Sequence, residues 1–203
     1  MYINLKFTMK NVAIIMGGYS SEYKISLTSG NVVFNNINRA KFNSYRIHIF
    51  KEKWVYVDEN DAEFPIDKND FSVTVNGMKI NFDVVFNAIH GTPGEDGLMQ
   101  AYFELLNIPQ TSCDYYQAAL TFNKRDILSV LKPYGIKTAE SYYLNLGDEI
   151  NVETILAKVG LPCFVKPNKS GSSFGISKVK TAAEFLPAIE NAYKEDDEII
   201  IES

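Results

Sequence analysis

The chain has 203 residues, a net charge of −5 and 46% hydrophobic residues. That suffices for a globular core in one large or two small domains. The acidic balance argues against a broad nucleic-acid or anionic-membrane surface, while leaving room for a local basic pocket.

No apolar run approaches the ~20 residues that span a bilayer. The opening MYINLKFTMK lacks the apolar stretch and small-residue cleavage site of a secretory signal. Met9 is a candidate natural start, with the eight residues before it as an extension; the domain division sets residues 1–9 apart as the N-terminal extension. Cys113 and Cys163 form no CxxC or Cys/His cluster, so no structural zinc is expected. Two buried free thiols in a reducing compartment are favoured over a disulfide. The expectation is a cytoplasmic protein with no nucleic-acid and no membrane partner.

NVAIIMGG (11–18) reads as a buried parallel strand ending in a tight turn. Ser20 or Ser21 could cap a helix from about Glu22, burying Ile25, Val32, Val33 and Ile37 at helical spacing. SYRIHIF (44–50) alternates as a strand and places His48 in a structural role. WVYV (54–57) and FSVTVNGMKI (71–80) read as edge strands, the latter a hairpin turning at Asn76-Gly77. DVVFNAIHG (83–91) is a buried strand running into a loop, and LMQAYFELLN (98–107) an amphipathic helix. This order predicts an α/β domain with a parallel sheet covered on both faces.

After a boundary near 110–125 the character changes. Residues 114–135 read as helices around Asn123-Lys124, stopped at Pro133 and Gly135. A strand at 140–146, a helix at 151–159, the strand PCFVKP (162–167), a polar loop, the strand ISKV, a helix at 181–194 and the apolar strand EIIIES follow. An end inside EIIIES lacks the weakly structured terminus usual for a domain, which suggests a piece of something longer.

Three constellations could carry chemistry, and each has a plainer reading. GGYSSE (17–22) lets backbone approach a ligand at a strand's C-terminal edge. Glu22 there could receive an ammonium group or simply offset the helix dipole. The spacing is not GxGxxG, so no dinucleotide fingerprint is present. HGTPGEDG (90–97) sets His90 in a polar, glycine-rich loop after a buried strand. It could line a site, or be a turn with Asp96 capping the next helix; both can hold at once.

KPNKSGSSFGIS (166–177) could wrap anionic oxygens with backbone N–H groups freed by Gly171 and Gly175. It could equally be an ordinary flexible loop. It is not a Walker sequence. The preceding Lys166 strengthens the anion reading, because a lysine on an apolar strand must pair or face a cavity. Lys124 stands at a helix entrance.

In this order and spacing, GGYSSEYKISLTSG, HGTPGEDGLMQAYFELLNIPQTS, FNKRDILSVLKPYGI and FVKPNKSGSSFGISKV resemble the D-alanine–D-alanine ligase family of the ATP-grasp superfamily, from about residue 10 onward. One departure is Tyr23, where the family usually has histidine. The resemblance implies a Rossmann-like preATP-grasp domain over 10–115, followed at 116–203 by the first, small lobe of an α+β ATP-grasp domain. The C-terminal lobe would lie outside the chain.

It further implies that ATP phosphorylates one D-alanine to an acyl phosphate and that a second D-alanine then attacks it, for peptidoglycan precursors. Lys124 and Lys166 would contact the phosphates, with Ser172 and Ser173 in the loop closing over them. Glu22 would hold the first D-alanine's ammonium, His90 would lie beside its carboxylate, and Ser172 would link Glu22 into a hydrogen-bonded network. Glu202 would lie near the adenine. The family's Mg²⁺ ligands would fall beyond residue 203, so the 203 residues alone should turn over little. A homodimer is implied. The alternatives are a related ligase with another second substrate and a non-catalytic ATP- or amino-acid-binding module.

Overall fold

The structure, a computed structural model, describes residues 9–203, so the other residues of the expected extension lie outside the description. The chain forms two compact units. One comprises the segment up to Tyr19 and Tyr23–Tyr115, the other Ser20–Glu22 and Tyr116–Ser203.

The first unit contains β1 (Lys10–Gly17), α1 (Tyr23–Asn36), β2 (Phe42–Ile49), β3 (Trp54–Val57), β4 (Glu63–Asp67), β5 (Ser72–Val75), β6 (Met78–Ile80), β7 (Val84–Asn87) and α2 (Leu98–Leu105). The strands lie in the order β6-β5-β4-β3-β2-β1-β7. β1 pairs parallel with β2 and β7, and the pairs from β2 outward to β6 are antiparallel. The sheet is therefore mixed, and its parallel part is β2-β1-β7.

β1 is apolar on both faces because both are covered. Val12, Ile14 and Met16 face α1, while Ala13 and Ile15 join Ile47, Ile49, Phe71 and Phe103 on the other side. β3 is not an edge strand as expected. It pairs with β4, which the polar stretch EFPID concealed because only Ile66 of that strand is buried. The hairpin does turn at Asn76-Gly77, both in the left-handed region that the tight turn requires.

α1 buries only part of the set its apolar spacing suggested: Val33 and Ile37 pack against Val12, Ile14 and Met16 as expected, but Ile25 and Val32 do not. Ile25 and Val32 are 40% and 57% exposed, whereas Ser26 and Gly30 are buried. Close approach decides this. The Ser26 hydroxyl accepts from Gly17 N–H (2.9 Å) and donates to the Ala88 carbonyl (2.8 Å). A Cβ at Gly30 would stand 2.7 Å from Met16 Cβ. The helix axis is drawn in until its smallest residues meet the sheet, and larger apolar side chains one step round are left outside.

The second unit contains α3 (Tyr115–Phe122, beginning at the boundary), α4 (Lys124–Leu131), β8 (Ser141–Asn145), α5 (Val152–Val159), β9 (Cys163–Pro167), β10 (Ser177–Val179), α6 (Phe185–Ala192) and β11 (Glu198–Glu202). Its sheet runs β10-β9-β11-β8, antiparallel throughout. Alternate residues of these strands, including Val165, Ile199 and Ile201, pack with α5 and α6 around Ile155, Phe185 and Ile189. The other sheet face carries Phe164, Lys166 and Glu202. Asn123 and Asn151 cap α4 and α5, their side chains accepting from Asp126 and Thr154 N–H. Both cysteines are free, but only Cys163 is buried; Cys113 is exposed, since it lies in the irregular stretch between α2 and α3 rather than under a helix.

Candidate functional site

In the first unit, the loop after β7 carries His90. Ala88 N–H donates to the Ile15 carbonyl at 3.0 Å, extending the ladder past the strand end. The loop then folds on itself. Gly94 and Glu95 N–H both donate to the Gly91 carbonyl at 2.9 Å, and the Glu95 carboxylate accepts Gly91 N–H at 2.7 Å. The Gly94 carbonyl accepts from Asn87 Nδ2 (2.7 Å) and from buried Gln100 Nε2 (2.6 Å). A Cβ at Gly94 would lie 2.4 Å from Ile89 Cβ, so glycine is required there.

His90 Nε2 lies 3.1 Å from the Ser29 hydroxyl of α1, which fixes the ring. Asp96 accepts Leu98 N–H at 3.2 Å from one place before the cap, while the cap position itself is Gly97, which makes no side-chain cap hydrogen bond. His48 is half-buried in β2 with Nε2 unpartnered among the described residues. Burial, then the Arg46 charge, holds its pKa below the usual value, so it stays neutral inside the sheet. Its structural role stands.

The second unit gathers the other residues. Lys166, half-buried on β9, pairs with Glu202 of β11. Lys124, first residue of α4, donates its Nζ to the Ser170 carbonyl (2.7 Å) and the Asn168 carbonyl (3.1 Å). Burial, then repulsion from Lys166, holds the Lys124 pKa below the usual lysine value. Among the described residues two of its three donors are engaged and one remains.

Glu22 is 2% exposed, and its Oε1 has no hydrogen-bond partner among the described residues. A Cβ at Gly171 would stand 2.9 Å from that oxygen, so a larger residue there would have to push the carboxylate aside. Ser172 and Ser173 are exposed, at φ 46° and 63°. That left-handed region costs a non-glycine residue about 1–2 kcal/mol. Among the described residues the Ser172 hydroxyl makes no hydrogen bond to Glu22.

Reasoning from sequence alone missed Asn168. It is 1% exposed. Its Oδ1 accepts Arg125 N–H (2.8 Å), and its Nδ2 donates to Asn123 Oδ1 (2.9 Å) and Glu198 Oε2 (2.7 Å). Glu198 also meets Arg125 (3.0 Å) and Lys169 (3.2 Å). Burial alone would raise the Glu198 carboxyl, but hydrogen bonds from Asn168 and Lys169 outweigh it and the pKa is lowered.

Two family models match in succession, "D-ala D-ala ligase N-terminus" over residues 11–113 and "D-ala D-ala ligase C-terminus" over 130–203. The chain belongs to the D-alanine–D-alanine ligase family. A curated ligase of that name from Flavobacterium johnsoniae is 80% identical over 195 residues, covering 96% of this chain and 60% of the relative. The solved D-alanyl-alanine synthetase A from Vibrio cholerae superposes with a TM-score of 0.83 at 29% identity, over 96% of this chain and 59% of that one. A D-alanine–D-alanine ligase from Bacillus anthracis, solved with ATP, gives 0.71 at 26% identity over 95% and 58%. The fold is thus the α/β arrangement of the ATP-grasp ligases, and the chain spans about 60% of the length of the curated relatives it matches.

Proposed function

We propose that the chain is the part of an ATP-dependent D-alanine–D-alanine ligase that carries the first-substrate residues and part of the nucleotide residues. The pair of successive family matches supports this most directly. The domain division follows the same reading: an extension at 1–9, a substrate domain at 10–115 and the small ATP-grasp lobe at 116–203.

A carboxylate is a poor electrophile. Transfer of the γ-phosphoryl group from ATP to the first D-alanine gives an acyl phosphate. The second D-alanine's amine then attacks the carbonyl carbon, the C–O bond to phosphate breaks, and the amine proton is lost. Positioning and charge stabilisation are what this chain supplies.

Lys124 and Lys166 take the ATP phosphates. The residues fit this ligand in kind: two ammonium groups and an exposed glycine–serine loop stand in the second unit, and Lys124 keeps a donor unused. The loop, with Ser172 and Ser173, closes over the phosphates, and Glu202 lies on the adenine side. Glu22 takes the first D-alanine's ammonium. A buried carboxylate oxygen without a partner is costly until a cation arrives, which favours this role over dipole compensation. His90, held by Ser29, lies beside that substrate's carboxylate.

Magnesium would neutralise phosphate charge. Among the described residues no group of three or more His, Cys, Asp or Glu side chains is placed to hold a metal. Its carboxylates would come from the part of the relatives that this chain does not span. We further propose a cytoplasmic homodimer serving peptidoglycan precursor synthesis.

The test is phosphate release from ATP by the full-length gene product. D-alanine-dependent release is expected. Its absence, with the protein folded, would overturn the reading. Competition with D-lactate or D-serine then fixes the second substrate.

A further inference from the structure

We infer that Asn168 is the positioning residue for Lys124, tying that lysine, the start of α4 and the root of the glycine–serine loop into one body. The inference rests on the nucleotide reading of Lys124 above.

Every hydrogen-bonding group of Asn168 is engaged. Its N–H donates to the Glu198 carbonyl at 2.8 Å, and its carbonyl accepts both Lys124 N–H (3.3 Å) and Lys124 Nζ (3.1 Å). The side chain bridges Arg125 N–H, Asn123 and Glu198. Its orientation is forced, because exchanging Oδ1 and Nδ2 would set an amide N–H against the Arg125 N–H. The residues on either side of Lys124 are therefore both fastened to Asn168, and so is the tip of the Lys124 side chain.

The physical need is clear. Arg125 N–H lies in the first turn of α4, where backbone donors have no helical partner. Asn123 already spends its side chain on Asp126 N–H. Without Asn168 the Arg125 donor is orphaned in a part-buried place, and the first turn that aims Lys124 frays. The same side chain holds Glu198, at the start of β11, so the lysine is referenced to the sheet rather than to the loop alone.

The experiment uses the full-length protein and two readouts. The first is the pH dependence of Lys124 acylation by acetic anhydride, read by mass spectrometry without nucleotide. The second is the KM for ATP and for D-alanine. In Asn168→Ala, Lys124 is expected to titrate closer to an ordinary lysine. The ATP KM should rise about tenfold or more, with the D-alanine KM unchanged.

Asn168→Asp sets a carboxylate against Glu198 and is expected to weaken ATP similarly. Adding Glu198→Gln supplies a donor to the introduced carboxylate and should recover part of the loss; the rest stays, because that carboxylate still faces Asn123 Oδ1, which Asp126 N–H holds in place. This double variant also covers the case in which Asn168→Ala fails to fold. An unchanged Lys124 titration in a folded variant, or no recovery in the double variant, overturns the inference. A shifted titration with an unchanged ATP KM would instead leave the tether standing and refute the phosphate role of Lys124.

Discussion

Lys166 and Glu202 pair diagonally across two antiparallel strands. In the β9–β11 register Lys166 stands opposite Ile200, and Glu202 stands opposite Phe164, two places along. Diagonal neighbours on one face of a sheet are within reach of long side chains. On the proposed nucleotide role, an incoming phosphate must compete with Glu202 for the Lys166 ammonium. Lys166→Ala is therefore expected to weaken ATP binding about tenfold or more, read by calorimetry on the full-length protein. Unchanged affinity would show that Lys166 serves only the ion pair.

Glu22 predicts a trade between stability and function. Its buried, unpartnered oxygen is a liability in the empty protein. Glu22→Gln should raise the thermal midpoint while removing D-alanine-dependent phosphate release. A lower midpoint would mean that the carboxylate is a structural support.

Lys124 gives a pH signature. Its folded pKa is depressed below the ordinary lysine value, so between the two values the unfolded chain binds a proton that the folded chain does not. Stability must then rise with pH through that window, below about 10.4. Lys124→Met should remove this rise, measured as urea midpoints against pH. A rise of the same size in the variant assigns it to another group.

The first signature was legible in the sequence, but only part of its helix's packed face was, through Val33 and Ile37. Glycines 17 and 18, Glu22 and the strand before them stand out by pattern. Burial of Ser26 and Gly30 in place of Ile25 and Val32 does not, because hydropathy carries no information on how near a backbone can come. Gly30→Ala tests the point. Helix propensity favours alanine by about 1 kcal/mol, but the 2.7 Å approach to Met16 Cβ should outweigh it by overpacking of about 1–3 kcal/mol. A variant as stable as the parent in urea would refute the close approach.

The His90 loop yields a selective prediction. Gly94→Ala drives a methyl into Ile89, and Ile89 lies next to His90 in sequence. The D-alanine KM should rise several-fold while the ATP KM holds, since the residues proposed for the nucleotide sit on other elements. Equal effects on both would indicate general unfolding.

Lys124, Lys166 and the glycine–serine loop were separable pieces in the sequence. What ties Lys124 to the root of that loop, Asn168, reads there as one more turn residue between proline and lysine. Its importance lies in long-range partners, Asn123 and Glu198, that no local pattern announces. β4 escaped notice for a related reason, since a strand with one buried residue has almost no periodic signal.

Ser172 and Ser173 follow one another in the left-handed region. Together they load the resting loop with about 2–4 kcal/mol of backbone strain. Such a loop is a cocked spring. A molecule that lets both residues unwind collects that energy as affinity, and one that needs the present shape collects none. Nucleotide analogues of equal charge should therefore separate by how far they let the loop relax, even where their contacts to the lysines are the same.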